Sequence, residues 1–414
     1  MPVKRPFVLA VAAAIIIMIT ALSAQESGLT VDQAVEIALT RNPEVLAAMT
    51  RVDAARGRTL QLRSRPEPQV QASVEGVPIP GLRKEGDQTE IHLGIEQAFE
   101  YPGKRALRTD IGRTGEDMAA AELDRVRVLL AARVKRAYWT AAFAGGAAEA
   151  LERSIGRLDA LLEDLQSKYR TGAAAYADVL RARAEKARLR NQVLEQAKEK
   201  RTAELELDQL LGRDPGAPIA LLSPLPFVPL AVDTASLLER ARTTLPSFRL
   251  SALGMEQAAS VVKLADLSRR PDFLAGFLLP SVRPNAWGVS FGLTMPFLRP
   301  GRARGERMEA AADAEAVRLR AEALDRRVRT AIESAFVAAK SAEEQVLVYE
   351  KGLLQELEDE LGIQLEYFRY GKTEAFGLLD LHRTYVLAQV EHLRALLIYN
   401  LALADLEVAG ESMD

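Results

Sequence analysis

The sequence contains no cysteine, and only three histidines occur among its 414 residues. Without cysteine, neither a disulfide framework nor a lipid anchor on an N-terminal cysteine can form. His92, His382 and His392 are not spaced as metal ligands, and no phosphate-binding glycine loop or nucleophile elbow accompanies them. The sequence therefore predicts that the chain is not an enzyme and holds neither a cofactor nor a metal ion.

The sequence also lacks a large excess of charge of one sign, because 54 lysines and arginines are nearly balanced by 57 aspartates and glutamates. The basic residues are dispersed among acidic ones, and the formal net charge is -3. A nucleic-acid-binding surface requires concentrated positive charge. The composition therefore predicts no nucleic-acid partner.

Long hydrophobic runs are missing except at the N-terminus. Lys4 and Arg5 precede an apolar run of 16 residues, Phe7–Leu22, and small residues follow it. This order is typical of a secretory signal peptide, and the run is somewhat short to span a bilayer. We expect residues 1–24 to be a cleaved signal peptide, with an uncleaved anchor helix as the alternative. A cleaved leader implies that the mature protein leaves the cytoplasm.

Proline is absent between Pro102 and Pro215 and after Pro300. Because proline costs about 3 kcal/mol inside a helix, both stretches are free to be helical. Residues 104–170 alone would form a helix of roughly 100 Å, at about 1.5 Å per residue. Dispersed alanines and leucines among charged residues favour coiled-coil packing. A cytoskeletal or scaffold coiled coil is the alternative on this evidence alone.

What is present is an internal duplication. Phe99–Arg105 (FEYPGKR) recurs as Phe297–Ala303 (FLRPGRA), and Tyr169–Gly172 (YRTG) recurs as Phe368–Gly371 (FRYG). Ordered pairs at a nearly constant offset predict two repeats, each with a helix, two strands and two long helices. The predicted boundaries are 28–212 for the first repeat, 213–232 for a proline-rich linker and 233–410 for the second repeat.

Four segments alternate apolar with polar or small residues, as strands with one apolar face do. Their apolar or small positions on one side are Val70, Ala72, Val74 and Gly76; Ile91, Leu93, Ile95 and Phe99; Phe273, Ala275, Phe277 and Leu279; and Trp287, Val289, Phe291, Leu293, Met295 and Phe297. Each run approaches the roughly 9–11 residues of a tilted transmembrane strand. Aromatic residues near the strand ends suit the interfacial girdles of a membrane barrel. A soluble sandwich would alternate similarly.

The number of strands favours a shared barrel. Four strands cannot close on themselves, and open strand edges are not tolerated in lipid. Three copies of the chain would supply twelve strands. The polar faces, including Glu75, His92 and Glu96, would then line water inside the barrel.

The predicted order is a signal peptide followed by two copies of a unit with a helix, a hairpin and a long helix pair. Over residues 28–410 this order resembles the TolC-type outer membrane factor (outer membrane efflux protein) family. Gly103–Arg105 and Met295–Leu298 are most similar to its heavy-metal-efflux subgroup. The resemblance implies an α+β membrane protein. It would combine a long α-helical coiled-coil barrel with four transmembrane β-strands per protomer, giving a twelve-stranded barrel in the trimer.

The resemblance also implies a function and partners. The chain would be a homotrimeric channel-tunnel in the bacterial outer membrane, with its helical tunnel in the periplasm. It would export substrates passively, metal cations among them, and would meet a periplasmic adaptor, an inner-membrane pump of the RND type and outer-membrane lipid. The alternative is that the chain is itself the periplasmic adaptor (membrane fusion) protein.

Two helix–turn–helix tips would, by this resemblance, close the periplasmic end of the tunnel and meet the adaptor. The expected contact residues are Tyr169, Arg170, Gly172, Phe368, Arg369 and Gly371. The resemblance makes Asp380 and Asp178 gate carboxylates, and Leu378 and Leu379 an apolar constriction. The alternative for both aspartates is a helix-start carboxylate, which stabilises a helix dipole by about 0.3–1 kcal/mol.

Overall fold

A computed structural model describes most of the chain after the predicted signal peptide. The described residues are 28–75, 77, 90–216, 219–221, 225–279, 287–298 and 300–411. The predicted signal peptide, residues 1–24, lies outside them. The described chain forms two compact units: a helical unit (28–46, 126–241 and 328–411) and a sheet unit (47–125 and 242–327). Each unit takes segments from both predicted repeats, so the units and the repeats do not coincide.

The same order of elements occurs twice. In the first half, the elements are α1 (Val31–Arg41), α2 (Pro43–Arg63), β1 (Gln69–Glu75), β2 (Glu90–Phe99), α3 (Lys104–Arg170) and α4 (Tyr176–Leu210). In the second half, they are α5 (Thr234–Thr244), α6 (Pro246–Leu267), β3 (Phe273–Leu279), β4 (Gly288–Leu293), α7 (Pro300–Glu350), α8 (Leu353–Arg369) and α9 (Ala375–Glu407). Both halves therefore place two strands between a helix pair and long helices.

Each half begins with two helices, so the prediction of one helix was wrong. Pro43 and Pro246 each start the second helix of the pair, because proline fits the first helical turn but not a helix interior. In the first half, the buried Asn42 amide between the helices donates to the carbonyl of Leu210, 2.8 Å away. This hydrogen bond holds the junction between α1 and α2 against the end of α4.

The predicted second long helix pair is also interrupted. α3 runs through 67 residues without a break, whereas the corresponding stretch of the second half is divided into α7 and α8. Gly352 precedes α8 with a φ of 108°. Positive φ values are costly for residues with a Cβ atom and readily adopted by glycine, so this residue allows the chain to break there.

The sheet unit contains a four-stranded antiparallel sheet in the order β1-β2-β3-β4. β2 of the first half pairs with β3 of the second half, with Ile95 opposite Phe277 and Phe99 opposite Phe273. The hydrogen-bond ladder therefore joins the two halves. Within the described chain, β1 and β4 each have one neighbouring strand, so both outer edges of the sheet are open.

One core cluster of the helical unit is made by α3, α4, α8 and α9. Its fully buried leucines include Leu158, Leu165 and Leu189, and Tyr385 lies among them. Each such leucine contributes about 1.5–3 kcal/mol relative to an exposed one. By length and composition, α9 is apolar enough to cross a membrane. Its buried side chains, such as Tyr385, instead pack into this core.

Candidate functional site

One face of the sheet carries exposed apolar side chains on all four strands. The strand register places both apolar sets of the second half on this same face, because Phe277 lies opposite Val289 and Phe273 opposite Leu293. The Trp287 side chain is 70 % exposed, and its ring stacks on that of Phe277 at 6.2 Å between centroids. The exposed members are Val70, Val74, Ile91, Leu93, Ile95, Phe99, Phe273, Phe277, Leu279, Trp287, Val289, Phe291 and Leu293. We call this surface the apolar sheet face.

The opposite face is polar on β1 and β2. The register sets Ser73 opposite His92 and Gln69 opposite Glu96, and both His92 and Glu96 are partly buried. Glu75 ends β1 opposite Glu90, and its side chain lies outside the described part of the chain. This face is the surface that the sequence predicts to face water, and its lining of a barrel stays a prediction.

On β3 the same face carries leucines, which the sequence reasoning missed. Leu274 lies against Gly292, and Leu278 lies against Gly94 and Gly288. A Cβ atom on Gly94 would come within 2.9 Å of the Leu278 side chain. The glycines on the neighbouring strands therefore make room for these two leucines. A glycine opposite a large residue in an alternating strand was the signal that could have indicated this packing.

Both helical tips end with the same turn geometry. In the first tip the amide of Gly172 donates to the Tyr169 carbonyl at 3.0 Å, and Ala173 donates to Lys168 at 2.8 Å. In the second tip the Gly371 amide donates to the Phe368 carbonyl at 3.0 Å, and the Lys372 amide donates to the Tyr367 carbonyl at 2.8 Å. This pair of bonds is the Schellman helix end. The predicted role of both glycines as helix terminators is confirmed by their φ values of 75° and 72°.

The two tips differ at the position before the turn. Tyr169 is 47 % exposed and packs its ring against Tyr176, whereas Phe368 is only 3 % exposed and lies in the helical core. The Lys168 ammonium lies 4.9 Å from the Phe368 ring centroid. A side chain buried by its own chain offers no surface to a partner. The prediction that Phe368 contacts an adaptor was therefore wrong for this conformation.

Other residues of the tips are exposed. Arg170 is exposed, and so is Arg369, which bonds Glu366 at 2.8 Å and lies 3.7 Å from Asp164. Sequence reasoning missed the exposed aromatic residues around them. These residues are Tyr176, Tyr367, Tyr370 and Phe376. An exposed aromatic group on a helix end often belongs to an interaction surface, and the high aromatic content of the tip sequences was the available signal.

The two predicted gate leucines lie in the core. Leu378 is 2 % exposed and Leu379 is 7 % exposed, and both belong to the same cluster as Phe368. Apolar side chains enclosed by their own protomer cannot line an opening. The predicted constriction by Leu378 and Leu379 was therefore wrong for this conformation.

The two aspartates have different surroundings. Asp178 lies in the first turn of α4 and accepts a hydrogen bond from Arg181 at 3.1 Å, so the helix-start interpretation applies to it. Asp380 is exposed and is the sixth residue of α9, beyond its first turn, so that interpretation was wrong for Asp380. The Asp380 side chain is thus available to solvent in the protomer.

A polar cluster around the buried Glu185 lies about two to three turns from the starts of α4 and α9, at about 3.6 residues per turn, and sequence reasoning missed it. The buried Glu185 accepts hydrogen bonds from Arg188 at 2.5 Å and Arg383 at 2.9 Å. Burial raises the pKa of Glu185, but the bonds from the two guanidinium groups outweigh burial and hold its pKa below the ordinary value. The carboxylate therefore joins a residue of the first half to one of the second.

His382 is buried beside this cluster. Its ring faces the backbone of Ser154 without a well-directed hydrogen bond to any described residue. Burial lowers the pKa of His382, and the nearby Arg157 and Arg188 act in the same direction against the opposing effect of Glu185. Within the described residues, no group of His, Asp or Glu side chains has the geometry of a metal site.

Comparison with known proteins agrees with this geometry. Residues 34–213 match the family model described as outer membrane efflux protein. Residues 34–213 belong to the outer membrane efflux protein family. The predicted resemblance is thereby confirmed, with the outer membrane as the location and a channel rather than an enzyme as the role. Among curated protein sequences, none matches the chain significantly.

Solved structures share the fold over both halves of the chain. The outer-membrane channel OprN matches with a TM-score of 0.77 at 20 % identity, over 92 % of this chain and 89 % of its own. CusC matches with a TM-score of 0.76 at 17 % identity, over 92 % and 91 %. The MtrE outer-membrane channel of Neisseria gonorrhoeae, in its open state, gives 0.76 at 19 % identity, over 92 % and 88 %. At these identities the likeness establishes the fold, and the heavy-metal subgroup stays a prediction.

Proposed function

We propose that three copies of the chain form an outer-membrane channel-tunnel that exports substrates passively from a tripartite efflux complex. The observation that carries the proposal is the apolar sheet face, which lies on an open four-stranded sheet in a chain with an outer-membrane-channel fold. A soluble protein rarely exposes an apolar surface of this kind. In lipid the same surface is stable without further protein.

The open edges determine the stoichiometry that we propose. Unpaired backbone groups at β1 and β4 would each cost several kcal/mol in hydrocarbon. Pairing β1 of one copy with β4 of the next satisfies them, and three copies give a closed barrel of twelve strands. The polar faces of β1 and β2, with Glu75, His92 and Glu96, would then line the lumen, and Leu274 and Leu278 would line it beside them.

The exposed parts of the tips are the surface that we propose for the periplasmic adaptor. Tyr169, Arg170 and Arg369 are exposed there, while Gly172 and Gly371 set the turns that present them. The exposed aromatic residues Tyr176, Tyr367, Tyr370 and Phe376 extend the same surface. The adaptor would connect this surface to an energised inner-membrane pump of the RND type. Metal cations are the substrate class that we propose from the subgroup resemblance.

For the gate we retain Asp380 and Asp178. In a trimer each would occur three times, and a ring of carboxylates attracts cations and can bind a divalent ion. Support for Asp380 is its exposure in the protomer. Asp178 also pairs with Arg181, which partly neutralises it, so we expect a smaller contribution from Asp178.

The deciding test is single-channel conductance in a planar bilayer, with the mass of the purified protein measured by light scattering. A trimer with discrete, cation-preferring openings would support the channel. A detergent-independent monomer without conductance would contradict it and favour the adaptor alternative, since an adaptor lacking an anchor is released from membranes by salt.

The gate is tested by Asp380→Ala in the same apparatus. We expect cation selectivity to fall and block by divalent ions from one side to weaken. Glu374→Ala is the matched control, because Glu374 is an exposed carboxylate at the start of the same helix. Equal selectivity in the wild type and both variants would remove Asp380 from the gate while leaving the channel proposal intact.

A further inference from the structure

A groove lies where the first-half strands meet their helices, between the end of α2, the β2–α3 turn and the start of α3. It has a volume of about 640 Å³. Four exposed arginines, two from each side, line it, and none of their side chains forms an ion pair or hydrogen bond with another described residue. They are Arg63, Arg65, Arg105 and Arg113. We call this site the arginine groove.

The carboxylates near the arginine groove do not neutralise it. Glu100 lines the groove but bonds Arg108, which is not part of the lining, at 2.5 Å. Asp110 is the other carboxylate of the lining. Positive charge in this groove is therefore in clear excess, although the chain as a whole is slightly acidic.

The corresponding junction of the second half is a matched internal comparison. Its groove is lined by Asp272, Arg302 and Glu306 of the second half and by Lys104 of the first half, among others. There Lys104 pairs with Asp272 at 2.8 Å and Arg302 pairs with Glu306 at 2.9 Å. The remaining charged residue of this lining, Arg270, lies 5.7 Å from the Tyr101 ring centroid, so both carboxylates of the lining are paired and one of its three basic residues lies against an aromatic ring. An excess of arginine is thus not a general requirement of the strand–helix junction, and the first junction needs a different explanation.

The position of the arginine groove indicates what it meets. Phe99 lines the groove and also belongs to the apolar sheet face, where it lies opposite Phe273. The groove therefore opens at the border of the surface that, on the proposed function, contacts hydrocarbon. Groups just beyond the hydrocarbon lie at the depth of lipid headgroups, where anionic phosphates attract arginine and lysine.

We propose that the arginine groove binds the phosphate of an anionic phospholipid headgroup, with the acyl chains lying along Phe99 and the apolar sheet face. The inference rests on the proposed membrane location. Guanidinium groups present paired N–H donors that match phosphate oxygens, which makes arginine better suited than lysine to this ligand. Four such groups around one groove can hold a single phosphate from several sides.

The test is native mass spectrometry of the detergent-purified protein with added phosphatidylglycerol, phosphatidylcholine or inorganic phosphate. We compare the wild type with Arg63→Gln/Arg105→Gln, which removes one charge from each side of the groove. Arg304→Gln/Arg320→Gln is the matched control, since both arginines are exposed in the sheet unit, form no ion pair with a described residue and lie outside the groove. Planar-bilayer conductance is recorded for every variant.

We expect the wild type and the control to retain phosphatidylglycerol in preference to phosphatidylcholine. The groove variant should lose at least about tenfold in phosphatidylglycerol affinity, since each basic residue near an anionic surface is worth roughly a factor of five. Arg63→Lys/Arg105→Lys should recover part of the loss, because charge without the paired donors remains.

Equal retention by the groove variant and the wild type would overturn the proposal. Binding of inorganic phosphate as tightly as phosphatidylglycerol would also overturn it, because the groove would then be a site for free phosphate. If the wild type and the variants all conduct, such results would reject the proposed lipid site and leave the proposed channel function intact. If the wild type gives neither conductance nor detergent-dependent solubility, the proposed function itself fails.

Discussion

The two halves of the molecule have the same order of elements but differ where each long helix approaches its tip. α3 is continuous over 67 residues, whereas the second half breaks at Gly352 and continues as α8. At the tips, Tyr169 is exposed, and its counterpart 199 positions later, Phe368, is in the core. The two halves thus share their order of elements, while side chains at equivalent positions differ in burial.

The largest expected effect tests the difference between the tips. Phe368→Ala should lower the free energy of unfolding by about 3–5 kcal/mol, because it leaves a cavity in the helical core. Tyr169→Ala, at the equivalent exposed position, should cost less than about 1 kcal/mol. Urea unfolding of the detergent-solubilised protein, followed by circular dichroism, measures both. Similar losses in the two variants would contradict the distinction between an exposed and a buried tip.

The next effect concerns the ionic contact between the halves. Glu185→Gln should cost about 1.5–3 kcal/mol, the range for hydrogen bonds to charged groups, because two arginines lose their charged acceptor and one carboxylate oxygen is replaced by an NH2 donor. Its counterpart in the second half is Thr384, which is exposed. The matched control Thr384→Ala should change stability by less than about 0.5 kcal/mol in the same urea titration. If Glu185→Gln behaved like this control, the ionic contact would not stabilise the protein.

A smaller effect tests the helix break. Gly352→Ala should cost about 1–2 kcal/mol, because alanine is disfavoured at a φ of 108°. Gly362→Ala should instead stabilise by about 0.5–1 kcal/mol, because this glycine lies inside α8 and an added Cβ meets no atom within 4 Å. In thermal melts, we expect the melting temperature to fall for Gly352→Ala and to rise for Gly362→Ala. A shift of the same sign in both would argue against a glycine-dependent break.

The smallest expected effect is a dependence of the free energy of unfolding on pH, caused by a histidine that is present only in the second half. His382 is buried, and its first-half counterpart Arg183 is exposed. Because burial lowers the pKa of His382, the unfolded chain takes up a proton first as the pH falls below about 6.5. The contribution of His382 to the free energy of unfolding is therefore complete above that pH. It is lost on acidification, by at most about 1.4 kcal/mol per pH unit.

Urea unfolding at pH 7 and pH 5.5 measures this loss. Within that window, His382→Leu should unfold with less pH dependence than the wild type. His392→Gln is the control, since His392 lies 3.2 Å from a carboxylate oxygen of Glu350 and is not among the fully buried residues. An unchanged pH dependence in His382→Leu would show that another group titrates.

Much of the fold could be predicted from particular residues. The prolines and their absence marked the long helices, and the two tip glycines marked their ends, because both residue types act through the local backbone. The alternation in the strands identified the apolar sheet face for the same local reason. The prediction failed at Phe368, Leu378 and Leu379, whose burial depends on helices from the other half packing over them.

The sequence by itself determined the duplication, the helix ends at Gly172 and Gly371 and the alternation of the strands. These features follow from backbone dihedral preferences and from side-chain periodicity, which operate within a few residues. Only the tertiary structure decided that β2 pairs with β3, that Glu185 meets Arg383 and that four arginines surround one groove. These contacts join residues up to about 200 positions apart, and no local preference specifies which distant side chain completes a core, an ion pair or a binding groove.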